Sequence, residues 1–109
     1  MIEIEAVLDD DGTLRACNVS GHAGAGATGG DVVCAAVTVL MRAAVRALFG
    51  RDGITIRSDA PEPGLLFLEA DCAAEGRDFL HAAGVFLLEG LASVAEEYPK
   101  HCSLSIRRT

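Results

Sequence analysis

His22 and Cys34 are the residues of this chain whose types and spacing suit chemistry. They bracket most of the stretch "GHAGAGATGGDVVC", where Gly21, Gly24, Gly26, Gly29 and Gly30 leave little side chain between them. A thiolate is a strong nucleophile, and an imidazole within hydrogen-bond reach can take and return its proton. Such a pair attacks acyl carbons. Reading Asp31 as a helix N-cap puts Cys34 at the third helical position, near backbone N–H groups without intrahelical partners. That end of the helix dipole favours a thiolate, and the same N–H groups suit the oxyanion that follows attack. The commoner fates of these residue types are plainer: a core thiol, a solvated loop histidine and a simple cap. One carboxylate at Asp31 can both cap the helix and orient the site.

The glycines admit a rival reading. Gly24, Gly26 and Gly29 spell G-x-G-x-x-G between a strand and a helix, the form of a dinucleotide-binding loop. That loop also wants an acid about 20 residues further on. Asp59, which ends the next expected strand, lies too far along, and the preceding strand returns from a hairpin instead of opening a βαβ unit. No G-K-[ST] follows, so the run is not a phosphate-binding Walker loop either. The remaining cysteines and histidines, Cys17, Cys72, Cys102, His81 and His101, are scattered over strands and a helix. No cluster of His, Cys and carboxylates has metal-ligand spacing, so neither metal nor cofactor is expected.

The bulk of the chain narrows the classes further. Its 109 residues fit one domain spanning 1–109, and 50% are hydrophobic, enough for a real core. Aromatics make up 5% and Trp is absent, so that core is built from Ala, Val, Leu and Ile. A formal net charge of −7 argues against gripping nucleic acid directly and favours a basic partner. The four cysteines form no C-x-x-C pair, and Met1 leads into the acidic "IEIEAVL" without the positive start of a secretory signal. Reduced thiols in a cytoplasm are the expectation. The uncharged run "VVCAAVTVLM" is about half of what spans a bilayer, so no membrane is expected.

These residues need elements to hold them. Ile2, Ile4, Ala6 and Leu8 alternate with Glu3, Glu5 and Val7, "DDDG" turns, and "TLRACNV" returns, which together read as a β-hairpin. A helix is expected from Asp31 to about Phe49, stopped by Gly50, with Val33, Val37, Leu40, Ala44 and Leu48 on one face. Its other face carries Val32, Ala35, Ala36, Val39 and Ala43, so it should be covered on two sides. "GITIRS" and "GLLFLEA" read as strands joined by "DAPEP". A second helix follows from about Ala74 to Glu97, and "CSLSIRR" makes a last strand. The order ββαββαβ implies an α+β, two-layer α/β sandwich with two helices on one face of a mixed or antiparallel sheet.

With these pieces in place the chain resembles a known family, the ribosomal-processing cysteine proteases called Prp. The pattern is Gly21-His22-Ala23, the loop "GAGAT", Gly29, Gly30, Asp31, the β-branched pair Val32-Val33, then Cys34-Ala35-Ala36-Val37 and a hydroxyl residue, Thr38. "LEGLASVAEEYPKHCSLSI" continues the resemblance to the last strand. The resemblance implies a cytosolic protease, typically a homodimer, that removes an N-terminal extension from the twenty-seventh protein of the large ribosomal subunit. It makes Cys34 the nucleophile, His22 its base and Asp31 a supporting residue. Gly21, Ala23, Gly29, Gly30 and Thr38 would shape the loop and the substrate site. Family members carry aromatic or charged residues in the loop where this chain has only Gly, Ala and Thr. The glycine run would then be mobile when empty and close over a bound peptide. The rival from another class is a non-catalytic ribosome-assembly adaptor on the same fold, with an ordinary thiol at Cys34.

Overall fold

A computed structural model of the chain describes residues 1–22 and 30–109, with residues 30 and 31 described by their backbone alone. Ala23, Gly29 and the intervening part of the glycine run therefore lie outside the described residues, as does the expected loop closure.

The hairpin forms as the alternation demands. β1 (Ile2–Leu8) buries Ile2, Ile4, Ala6 and Leu8 and turns Glu3 and Glu5 outward. The carboxylate of Asp9 accepts from the backbone N–H groups of Asp11 and Thr13, closing the turn into β2 (Leu14–Ser20). Val7 stands opposite Ala16 while Leu8 stands opposite Leu14, so Arg15 is an extra residue, a β-bulge. α1 (Gly30–Leu48) crosses to β3 (Ile54–Asp59), which pairs antiparallel with β4 (Leu65–Cys72). A 3-10 turn (Ala74–Gly76) leads into α2 (Arg77–Glu97), and β5 (Cys102–Arg108) closes the chain.

The five-stranded sheet has the order β3-β4-β2-β1-β5, with β5 parallel to β1 and every other neighbour antiparallel. Register explains the single core. Ile4 pairs with Val19 and Leu104, Ala6 with Cys17, and Cys17 with Leu68, so one face carries the apolar residues of all the central strands. Both helices lie on that face. α1 lays Val33, Val37, Met41, Ala44 and Leu48 on it, and α2 adds Leu80, Gly84, Leu87 and Leu91. The other face is polar: Arg57 pairs with Glu69 at 2.6 Å, and Arg15 with Asp71.

Three expectations need correction. α1 begins at Gly30, so Asp31 lies inside the first turn and is not the cap, and Cys34 is the fifth helical residue instead of the third. The N–H groups without an intrahelical partner are then those of residues 30–33. Met41, not Leu40, completes the buried stripe of α1 with Leu40 only half-buried, because the i, i+4 row from Val33 and Val37 runs on through Met41. The helix expected from Ala74 opens as a 3-10 turn and becomes α-helical at Arg77. By length and hydropathy alone the segment Ala74–Glu97 could cross a membrane. In this fold its Leu80, Leu87 and Leu91 face the sheet.

Candidate active site

The end of β2 and the connection between β3 and β4 both lie beside α1. Between them opens a cleft of about 500 Å³. Cys34, Thr38 and Arg42 line one wall from α1; Ser58, Asp59, Ala60 and Glu62 to Leu66 line the other. Gly21 and His22, immediately after β2, close one end, and Ile2, Val19, Val37, Met41 and Val45 give it an apolar floor. The two residues singled out for chemistry therefore share one cavity.

Each is held differently. Cys34 sits half-buried on a helix, and a helical Cα–Cβ bond tilts toward the N-terminus, so its side chain leans toward the first turn. His22 is exposed and held by its backbone. The Gly21 N–H donates to the Gly64 carbonyl at 2.9 Å. The His22 carbonyl accepts from the Met1 ammonium group at 2.9 Å. The histidine is thereby fixed to β4's leading end on one side and to β1's on the other.

The other cysteines have different surroundings. Cys17 is wholly buried between Ala6 and Leu68, and burial pushes its thiol up to about 12. Burial also raises Cys102. These are structural thiols. Among the described residues no group of three or more His, Cys, Asp or Glu side chains is placed to hold a metal ion.

Of the residues expected in the site, the structure brings His22, Cys34, Gly21 and Thr38 to the cleft. It places Gly30 and Asp31 at the start of α1 by backbone. Sequence reasoning missed the facing wall. "DAPEP" reads only as a connection, yet the 58–66 segment supplies eight of the eighteen lining residues. Arg42 was legible in principle, since Cys34, Thr38 and Arg42 follow one another at helical i, i+4 spacing.

A thiol on a helix's leading turns and an imidazole at one end of the same apolar-floored cleft make a site for nucleophilic thiol chemistry on an acyl group. The chain belongs to the family described as cysteine protease Prp, whose family model matches residues 1–103. No curated protein matches it. Among solved structures it is similar to SMU.848 from Streptococcus mutans, with 25% identity, a TM-score of 0.79, and coverage of 100% of this chain and 96% of that one. It shares its fold with the ribosomal processing protease Prp from S. aureus in complex with a substrate peptide, at 21% identity and a TM-score of 0.82 over 98% of this chain and 100% of that one. The same S. aureus protein with a covalently linked product peptide aligns at 20% identity and a TM-score of 0.79, over 98% of this chain and 100% of that one.

Proposed function

We propose that this cysteine protease trims the N-terminal extension of a ribosomal protein precursor, the twenty-seventh of the large subunit, during ribosome assembly in the cytoplasm. The observation that carries the chemistry is the shared cleft of Cys34 and His22. In this reading His22 takes the thiol proton and the Cys34 sulfur attacks the scissile carbonyl carbon. The oxyanion forms beside the N–H groups of residues 30–33, which have no intrahelical partner. His22 returns the proton to the leaving amine, and the C–N bond breaks to leave a thioester. Water, deprotonated by His22, then releases the acid and restores the thiol. No step calls for a cofactor. Asp31 in the first turn and Gly21 beside the histidine support the site, and Thr38 faces the bound peptide.

Three features support the substrate and setting. The S. aureus protein of the same fold is a ribosomal processing protease that holds a substrate peptide. The net charge of −7 attracts a basic ribosomal chain and disfavours direct contact with RNA. Four unpaired cysteines fit a reducing compartment. The working unit is a homodimer: the apolar outer face of the two helices, with Phe86 75% exposed, takes a second copy.

The test is cleavage of a full-length precursor followed by mass spectrometry. The wild type releases the extension and Cys34→Ala does not, while His22→Ala is slower by about 10²- to 10⁴-fold. Equal cleavage by Cys34→Ala overturns the assignment.

A further inference from the structure

We infer that Gly64, in the connection between β3 and β4, is a positioning residue that sets the orientation of the His22 imidazole. The inference rests on His22 acting as the base of the proposed protease. Three observations carry it. A Cβ at residue 64 would stand 2.6 Å from His22 Nε2 and 2.9 Å from Cε1, closer than non-bonded atoms approach. The ring edge bearing Nε2 thus rests against a bare α-carbon. Gly64 also has φ +84, a backbone state that side-chain-bearing residues rarely adopt. And its carbonyl accepts the Gly21 N–H at 2.9 Å, so the loop that abuts the ring also fixes the backbone just before it. All three residues line the cleft that holds Cys34.

Where the cost of a side chain would fall decides what it would do. His22 is exposed, so its ring can swing away from an added methyl with little loss of folding energy. What is lost is register. A catalytic group displaced by about 1 Å costs on the order of 10²-fold in rate. Gly64→Ala should therefore read out in turnover more than in stability or substrate binding. Its backbone strain is matched by Gly50→Ala, because Gly50 has φ +78 and nothing lies within 4 Å of a Cβ there.

The experiment compares wild type, Gly64→Ala and Gly50→Ala for kcat, KM and thermal midpoint on a precursor peptide. Histidine-selective NMR of the imidazole Cε1–H and Cδ2–H signals accompanies it. Gly64→Ala should lose at least tenfold in kcat with KM within about threefold. Its His22 signals should move while those of His81 and His101 stay in place. Gly50→Ala should lose similar thermal stability and keep its kcat. The assignment is overturned if Gly64→Ala keeps kcat within twofold, if its kcat falls with the His22 signals unmoved, or if Gly50→Ala loses kcat equally. A wild-type protein that cleaves nothing overturns the protease reading, and the Gly64 assignment with it. A cleaving wild type matched by Gly64→Ala overturns the Gly64 assignment alone.

Discussion

Thr38 follows Cys34 by one helical turn on the same face of α1, and both line the cleft. Thr38 is exposed and is absent from the core. Its hydroxyl is therefore free to meet a bound peptide, and a hydrogen bond of that kind is worth about 1 kcal/mol, or roughly fivefold. Thr38→Val should lower kcat/KM by about five- to tenfold with an unchanged melting temperature, and Thr38→Ser should stay within threefold of wild type. Steady-state kinetics on the precursor peptide checks this. A Thr38→Val enzyme as fast as wild type removes the hydroxyl from the site.

The four thiols should separate by reactivity. Cys17 and Cys102 are buried and their thiols raised by burial, whereas Cys34 and Cys72 are only half-buried. Iodoacetamide on the native protein should label Cys34 and Cys72, and label Cys17 and Cys102 only in urea. A bound precursor peptide should protect Cys34 but not Cys72, which lies at the end of β4 away from the cleft lining. Peptide mapping reads all four sites. Equal protection of Cys34 and Cys72 would place the peptide elsewhere.

The elements were legible in the sequence because their signals are local. Ile2, Ile4, Ala6 and Leu8 alternate within one strand, and Gly50 stops α1 within one turn. Strand order was not legible, since pairing the first strand with the last depends on α2 carrying the chain across the sheet. The 58–66 wall of the site shared that fate. Cys34 and His22 announce themselves by residue type. Gly64 matters only because the β3–β4 connection folds back on to His22, a contact that no local pattern encodes. The first helical residue moved from Val32, which a cap at Asp31 implies, to Gly30, because an acid fits inside the first turn nearly as well as at the cap.

Stability should fall at both ends of the pH scale, for opposite reasons. Asp11 is held well below the ordinary carboxylate value of 3.8, first by hydrogen bonding with Asp9, then Thr13, with Arg77 adding its charge. Asp71 is lowered chiefly by its hydrogen bond from Arg15. Below about pH 4 the unfolded chain binds protons that these folded carboxylates refuse, so their contribution is present above that pH and lost as pH falls. Cys17 works in reverse. Its thiol is ordinary at 9.0 when unfolded and about 12 when buried, so its contribution is intact below pH 9 and is lost as pH rises toward 12. The alkaline slope reaches at most ~1.4 kcal/mol per pH unit. Urea midpoints across pH 2–5 and pH 8–11 measure both limbs. Asp11→Asn should flatten the acid limb and Cys17→Ala the alkaline one, whatever each does to the midpoint at neutral pH.

Gly84 of α2 packs directly against Leu14 of β2. A Cβ there would lie 2.8 Å from the Leu14 Cβ, inside a wholly buried part of the core. Neither atom is the far end of a flexible chain, so the helix itself must retreat. Gly84→Ala should destabilise the fold by about 1–3 kcal/mol despite alanine's better helix propensity. Chemical denaturation decides the sign. A stabilised variant would mean that α2 shifts freely over the sheet.

Phe86 tests the proposed assembly. It is 75% exposed beside an apolar groove of about 380 Å³ between α1 and α2, lined by Leu40, Ala43, Ala47, Phe79 and Ala83 among others. Val39 and Val85 add exposed apolar surface to the same helix layer. A phenylalanine left in water forgoes about 1.5–3 kcal/mol of burial, and an antiparallel meeting of two such layers would seat each Phe86 in the other copy's groove. The contact would be isologous, as a two-fold dimer requires. The cleft opens between the early turns of α1 and the 58–66 segment, apart from this groove, so the contact leaves it accessible. Light scattering coupled to gel filtration should give a dimer for wild type and a monomer for Phe86→Asp. Circular dichroism should show the helices unchanged in that variant, because Phe86 is not part of the core. A wild-type protein that stays monomeric at tens of micromolar, or a Phe86→Asp variant that stays dimeric, removes this face from the assembly.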